Sequence, residues 1–439
     1  MNVLYMHTHD SGRYWQPYGY PVSMPNAMRL AREGLLFRNA FCAAPTCSPS
    51  RAALTTGQCA HSSGMLGLAH RGFSLRNSQE HLSAFLGQNG FETVLCGVQH
   101  EAAAAEQLPY ERILTSPDQK ALGQTARDSA NADLAAAFIR QPHDRPFFLS
   151  FGMFNTHRPY PDHQTAGLNP DWLTPPWPVA DTAENRADMA DYYCAAQAVD
   201  QCVGKVLRAL EESGQMENTL ILFTTDHGIA WPHMKCSLYD TGIGVALLLR
   251  FPGMQEKQTH ATDQLVSQVD LFPTLCDYLG LEKPAWLQGV SLRPVIEQNV
   301  PVRDAVFAEV SYHAAYEPKR CVRTERYKLI VRYDDYLGVV APNTDDSPAK
   351  AFLRDAGGMN ALLPREELYD LYLDPAERQN RVQDDACREI YHQLLGRLSA
   401  WMEETGDPLL NYRYRIPCPP GAIINIRTGY SPSAMEFEQ

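Results

Sequence analysis

Cys47-Ser48-Pro49-Ser50-Arg51, running on to Leu54-Thr55-Thr56-Gly57, is the stretch from which the 439-residue chain can be ordered. Pro49 fixes the backbone just after a thiol and offers no amide proton. The amides beyond it can open a helix, predicted over Arg51–Thr56, whose N-terminus favours an anion. Arg51 adds a planar guanidinium matched to a tetrahedral oxyanion such as sulfate or phosphate. A buried structural cysteine at a helix entry is the plainer reading of any one thiol. The rest of the chain decides between the two.

Short apolar runs at Asn2–His7, Thr93–Cys96, Phe147–Phe151, Thr219–Thr224 and Val245–Arg250 read as parallel strands buried on both faces. Helical patterns alternate with them at Pro25–Glu33, Ser78–Gln88, Ser129–Arg140 and Ala183–Ser213. In the last, Val199, Val203, Val206, Leu207 and Leu210 recur at helical spacing as a core-facing stripe. This alternation predicts an α/β fold, a large mostly parallel sheet flanked by helices. Ligands of such sheets bind at the carboxyl ends of strands. Polar clusters follow the strands there: His7–Asp10, Gly97–Glu101, Asn155–Arg158 and Asp226-His227-Gly228. After Val310 the grain changes to a hairpin-like alternation over Arg320–Val331, a strand at Leu368–Leu371 and an amphipathic helix at Asp384–Thr405. The expected division is a catalytic α/β domain over residues 1–312 and a smaller C-terminal α+β subdomain over 313–439.

With 44% apolar and 20% charged residues the composition is that of an ordinary globular protein. A formal charge of −13 argues against general binding to nucleic acid or anionic membrane. An anionic substrate must then be attracted locally. Eleven cysteines without a C-x-x-C pair suit free thiols in a reducing compartment. The chain opens directly on an apolar strand, with no basic n-region and no long apolar run. A cytoplasmic address is the expectation.

His9-Asp10 and Asp226-His227 lie far apart in sequence but each follows a predicted buried strand, so their side chains can converge on a divalent cation. Two imidazoles make such a site softer than one of oxygen alone, which admits manganese or another transition ion beside a harder cation. Taken singly, each pair reads first as a helix cap or a satisfied polar group.

The thiol segment closely resembles the signature of the formylglycine-dependent sulfatases of the alkaline phosphatase superfamily, C-x-P-S-R followed by L-T-x-G. The resemblance implies that Cys47 is oxidised by a formylglycine-generating or radical maturase to an aldehyde whose hydrate is the nucleophile. It implies a calcium ion held by Asp10, Asp226 and His227, with the position-47 side chain beside it. His9 stands where the family usually has a further aspartate. His100 in Gly97-Val98-Gln99-His100 resembles the histidine of G-K-x-H, whose lysine is replaced here by Val98. His157 and Lys235 match a histidine near the leaving group and a lysine that holds sulfate. Segments near Ser267–Thr274, Leu287–Leu292 and Glu367–Asp370 resemble the family's later scaffold, and Glu309–Leu329 resembles the heparan N-sulfatase (sulfamidase) branch. On that basis Glu101, Arg158, His313 and Arg320 are candidate substrate contacts.

What the resemblance implies is hydrolysis of a sulfate ester or sulfamate on a small sulfated, amino-bearing sugar. One hydroxyl of the hydrate attacks sulfur; Arg51 and Lys235 stabilise the sulfuryl oxygens; His157 protonates the leaving atom; His100 takes a proton as the aldehyde reforms. A phosphodiester or phosphonate monoester hydrolase with the same nucleophile is one alternative. A non-catalytic binder of sulfated sugars is the other, suggested by His9 and Val98.

Overall fold

The computed structural model describes residues 1–115, 122–254, 260–412, 415–434 and 436–438. In chain order its first strands are β1 (Asn2–Thr8), β2 (Leu35–Phe37), β3 (Ala40–Phe41), β4 (Glu92–Gly97), β5 (Arg112–Leu114), β6 (Phe147–Gly152), β7 (Thr219–Thr225), β8 (Leu247–Arg250), β9 (Ala261–Thr262) and β10 (Val266–Ser267). Eight of them form one sheet in the order β5-β4-β6-β1-β7-β8-β2-β9, while β3 pairs with β10. The helices that cover it include α1 (Pro25–Glu33), α2 (Cys47–Thr56), α3 (Ala60–Ser63), α4 (Leu82–Gln88), α5 (Gln124–Ile139) and α6 (Ala183–Glu212). This is the α/β architecture the alternating pattern predicts.

Side chains alternate across each strand, so the two faces of β1 and β7 feed two cores. Leu4, Met6, Ile221 and Phe223 pack with α1, α5 and α6, including Val199, Val203, Val206, Leu207 and Leu210 of the predicted stripe. Val3, Tyr5, Leu220 and Leu222 face the other way, against Leu54 of α2 and Leu82, Phe85 and Leu86 of α4. Each such side chain, fully buried, contributes roughly 1.5–3 kcal/mol.

Register positions the site. His7 of β1 lies level with Gly152 of β6 and Thr224 of β7, and Gly152 lies level with Gly97 of β4. Four parallel strands therefore stop on one line, and the segments that leave them start side by side. The two glycines permit the close approach of these ends. A Cβ on Gly152 would meet the Val98 carbonyl at 1.9 Å, and one on Gly97, at φ +81°, would meet the Gly152 carbonyl at 2.2 Å.

Three sequence expectations change. β8 runs antiparallel to both β7 and β2, because the segment after β7 turns back through the polar loop at residues 226–246 and carries no crossover helix able to bring a parallel strand into line. Helix α2 starts at Cys47, a turn earlier than predicted, since a proline in the first helical turn gives up no intrahelical hydrogen bond. The predicted helix over residues 78–88 is broken at His81, whose extended backbone and side chain cap α4.

The smaller sheet is antiparallel, β11 (Ala305–Tyr312), β12 (Tyr316–Thr324), β13 (Tyr327–Arg332) and β14 (Glu366–Asp370). β11 ends at residue 312 and pairs along its length with β12, so it belongs to this sheet. Leu394, Leu398 and Trp401 of the helix Arg388–Thr405 cover one face. Val306, Ala308, Val310, Cys321 and Ile330 on the other face join the core beneath the large sheet. The two sheets thus share one apolar interior. No helix among the described residues is long and apolar enough to cross a membrane.

Candidate active site

Cys47 is the first residue of α2 and is buried above the strand ends. Its Sγ lies 3.4 Å from His227 Nε2 and 4.0 Å from Asp10 Oδ1. Burial pushes the thiol pKa up, against the pull of Lys235. A thiolate nucleophile needs the opposite environment.

Arg51, one turn along α2, is buried below the thiol with both terminal nitrogens engaged and Nε left without a partner. It donates to Asp226 Oδ2 at 2.9 Å, to the Thr8 carbonyl at 2.7 Å and to His7 Nδ1 at 2.5 Å. Because Arg51 can only donate, His7 accepts through Nδ1 and gives its Nε2 proton to Ser150, 3.3 Å away. Burial and then Arg51 push His7 down to about 3, which keeps it neutral in that role. The sequence marks His7 only as part of the polar cluster after β1, and its one further signal is a polar ring inside an otherwise apolar strand.

His9, Asp10, Cys47 and Asp226 bring donor atoms to within 4.8 Å of one another, all buried. The Asp10 amide donates to Asp226 Oδ1 at 2.8 Å, locking the two strand ends together. His227 sits 3.4 Å from Asp10 Oδ1 and 3.7 Å from Asp226 Oδ2. Its Nδ1 is engaged by the Gly228 carbonyl at 2.9 Å, so the Nε2 lone pair faces the cluster. Both ring nitrogens of His9 are buried without a hydrogen-bond partner, although Nδ1 lies 3.2 Å from Asp226 Oδ2. Such an orphaned imidazole is costly, and a cation among these donors would satisfy it. Burial disfavours charge on Asp226, but His227, Arg51 and His9 outweigh it and hold the carboxyl well below its usual range.

Around this centre stand the remaining candidates. Lys235 Nζ lies 2.9 Å from Asp10 Oδ2. Burial opposes its charge, yet Asp10 and Asp345 hold the ammonium well above its ordinary pKa. His157 Nε2 is 3.9 Å from Asp10 Oδ2, while Nδ1 is engaged by the Arg158 carbonyl at 2.6 Å. The His100 ring lies 4.6 Å from that of His9, centroid to centroid. Burial, with Arg51 and His157 adding to it, pushes His100 down to about 3, so it is a neutral acceptor.

The expected substrate contacts fare differently. His313 Nδ1 reaches Thr46 Oγ1 at 3.0 Å and so braces the residue before Cys47. Arg158 is held by both carboxylate oxygens of Asp188 at the edge of the cleft. Glu101 is a correction: it is buried behind α2, accepting from Thr55 at 3.0 Å with His81 3.3 Å away. Arg320 is another. It is fully buried, bonded to Asp407 at 2.6 and 3.0 Å and 3.4 Å from Glu309, and ties the smaller sheet to the segment after its covering helix. The Arg320 guanidinium, enclosed on all sides by protein, is unreachable by a sugar. Asp345, which the motif reading did not include, lies 2.9 Å from Lys235 Nζ.

A sulfatase family model matches residues 2–281 of the chain, from β1 through the whole of the strand-end cluster. The chain belongs to the sulfatase family. A second model, N-sulphoglucosamine sulphohydrolase C-terminal, matches residues 228–341 of this sulfatase. Human N-sulphoglucosamine sulphohydrolase is 30% identical, over 88% of this chain and 86% of its own. A delta 4,5-hexuronate-2-O-sulfatase of Bacteroides thetaiotaomicron is 25% identical over 90% and 86%. The fold of the sulfatase is that of a solved structure in complex with its substrate D-glucosamine-2-N,6-O-disulfate, with a TM-score of 0.73 at 19% identity over 94% and 99% of the two chains. The phosphonate monoester hydrolase of Agrobacterium radiobacter shares it too, with a TM-score of 0.72 at 20% identity over 95% and 100%.

Proposed function

We propose that this sulfatase removes sulfate from a small sulfated amino sugar, N-sulfated glucosamine foremost, at a divalent-metal centre and with Cys47 converted to formylglycine. The observation that carries the reading is the seat of Cys47: first in its helix, 3.4 Å from His227 and 4.0 Å from Asp10, beside the unpartnered ring of His9. The buried thiol itself is poorly suited to attack, and the aldehyde hydrate would supply an oxygen nucleophile at the same position.

His9, Asp10, Asp226 and His227 would hold the ion, whose Lewis acidity would lower the cost of charge on nucleophile and sulfuryl oxygens. Two carboxylates and two imidazoles suit manganese or another borderline ion better than calcium, which prefers six to eight oxygens. Lys235 holds a positive charge against the sulfuryl oxygens. Arg51, whose terminal nitrogens bond Asp226, Thr8 and His7, orients the Asp226 carboxylate from below. His157, exposed enough to reach substrate, has its Nδ1 tied to a carbonyl, so Nε2–H of the protonated ring is what it can offer to the leaving atom. His100, neutral and with a buried unpartnered Nδ1, is the acceptor for a proton when the nucleophile is regenerated.

The human relative bears the name of an N-sulphoglucosamine hydrolase, which favours a sulfamate over a simple ester. The test has two parts. Peptide mass spectrometry across Cys47 from the native host should find the aldehyde. Sulfate release should then be measured from N-sulfoglucosamine, glucosamine 6-sulfate, an aryl sulfate and an aryl phosphonate ester. Preference for the phosphonate would make the chain a phosphonate hydrolase, and binding without release, with Cys47 oxidised, would make it a carrier.

A further inference from the structure

The cleft holds a carboxylate with no evident part in binding an anion. Asp345 belongs to the loop between the short helix Ala341–Asn343 and the helix Pro348–Asp355, so the part of the chain after the smaller sheet's hairpin delivers it. Its Oδ2 lies 2.9 Å from Lys235 Nζ, and Lys235 Nζ lies 2.9 Å from Asp10 Oδ2. One ammonium therefore stands between two carboxylates. The approach of Oδ2 to Lys235 is close but poorly aligned, and this buried oxygen has no hydrogen-bond partner. The side chain remains 19% exposed.

A second carboxylate beside Lys235 opposes the binding of a sulfuryl group, because the single lysine charge is already shared with Asp10. It repels most strongly an oxygen leaving group, which gathers negative charge as its bond to sulfur breaks. A nitrogen leaving group behaves in the opposite way. It carries an N–H that a carboxylate can accept from, and it departs as an amine that becomes a cation.

The geometry points to Asp345 as the residue that selects an N-sulfate over an O-sulfate, an inference that rests on the sulfated amino sugar proposed above. In the step concerned, the S–N bond breaks and the nitrogen keeps the electron pair. Before that bond breaks the nitrogen takes one proton from His157 Nε2–H and is positively charged; it then leaves as a neutral amine, and the sulfuryl group passes to the oxygen nucleophile at position 47, which enters as its alkoxide. Asp345 neither gives nor receives that proton. It accepts a hydrogen bond from the sugar N–H, which strengthens as the nitrogen becomes positive, so the contact favours the transition state over the bound substrate.

The experiment compares the full-length, matured protein with Asp345→Asn and Asp345→Glu on N-sulfoglucosamine, glucosamine 6-sulfate and an aryl sulfate. Removing the charge should lower kcat/KM for the N-sulfate roughly 100-fold, mainly in kcat, the usual effect of deleting one transition-state hydrogen bond. Hydrolysis of the two O-sulfates should hold or rise, and Asp345→Glu should keep part of the N-over-O preference. Equal losses on all three substrates would make Asp345 a support for Lys235 and overturn the assignment, as would no loss on any. If the unaltered protein cleaves the aryl sulfate and neither sugar, the amino-sugar reading itself falls and the role of Asp345 with it.

Discussion

Arg320 is the position where sequence and structure diverge most, and replacing it tests the difference directly. The residue is fully buried, with Asp407 at 2.6 and 3.0 Å, Glu309 Oε2 at 3.4 Å and the Val310 carbonyl at 2.8 Å. Arg320→Met removes the arginine that bridges this cluster and leaves two buried carboxylates, with the His61 ring 2.8 Å from Glu309. Breaking a buried ion pair from one side costs about 3–5 kcal/mol. Asp407→Asn should cost less, about 1–3 kcal/mol, because Glu309 and the carbonyl still hold the guanidinium. Trp401 stacks on Phe307 and packs edge-on against His61, so its fluorescence reports on this contact. With a slope of roughly 3 kcal/mol/M, the urea midpoint of Arg320→Met should fall by about 1 M or more. Under native conditions KM should not move. A variant with an unchanged midpoint and KM raised roughly tenfold would refute the reasoning, since that is the pattern of lost substrate binding.

Cys47→Ala should abolish turnover and leave the melting temperature nearly unchanged; retained activity, checked by sulfate release, would remove Cys47 as the source of the nucleophile. His9→Ala should weaken manganese binding to the metal-stripped protein, read by calorimetry or by the metal-induced rise in Tm. Binding as tight as in the parent would take His9 off the ligand set. Burial raises the Glu101 pKa, but His81, with His7 and Arg51, outweighs it and holds the carboxyl at about 2. A lowered folded-state pKa stabilises above the unfolded value near 4.5, and that stability, on the order of 3 kcal/mol, is lost as pH falls towards about 2. Glu101→Gln should therefore flatten the fall in urea midpoint between pH 5 and 2.5, both figures taken as roughly bracketing that window; an unchanged slope would show that Glu101 does not titrate there.

The large sheet was legible because its strands are buried on both faces and read as unbroken apolar runs. The reversal of β8 was not, since an apolar strand carries no mark of its direction; the connection before it decides that. The cluster His9, Asp10, Asp226 and His227 was legible from a positional rule, polar residues directly after buried strands. The register of β1 against β6 and β7 then makes those segments neighbours. Glu101 and Arg320 misled for a shared reason. A charged residue in a family-like segment has the same letter whether it faces a ligand or another buried charge.

From the sequence alone came the Cys47 motif, the strand-end cluster and the family, because each rests on residues adjacent in the chain or on a local pattern of burial. Only the tertiary structure could decide which charges remain available. His7 beneath Arg51, Asp345 against Lys235 and Asp407 on Arg320 join residues 44, 110 and 87 positions apart. The partner of a buried charge is chosen by desolvation and by how the two sheets pack, and neither leaves a trace at fixed spacing in the chain.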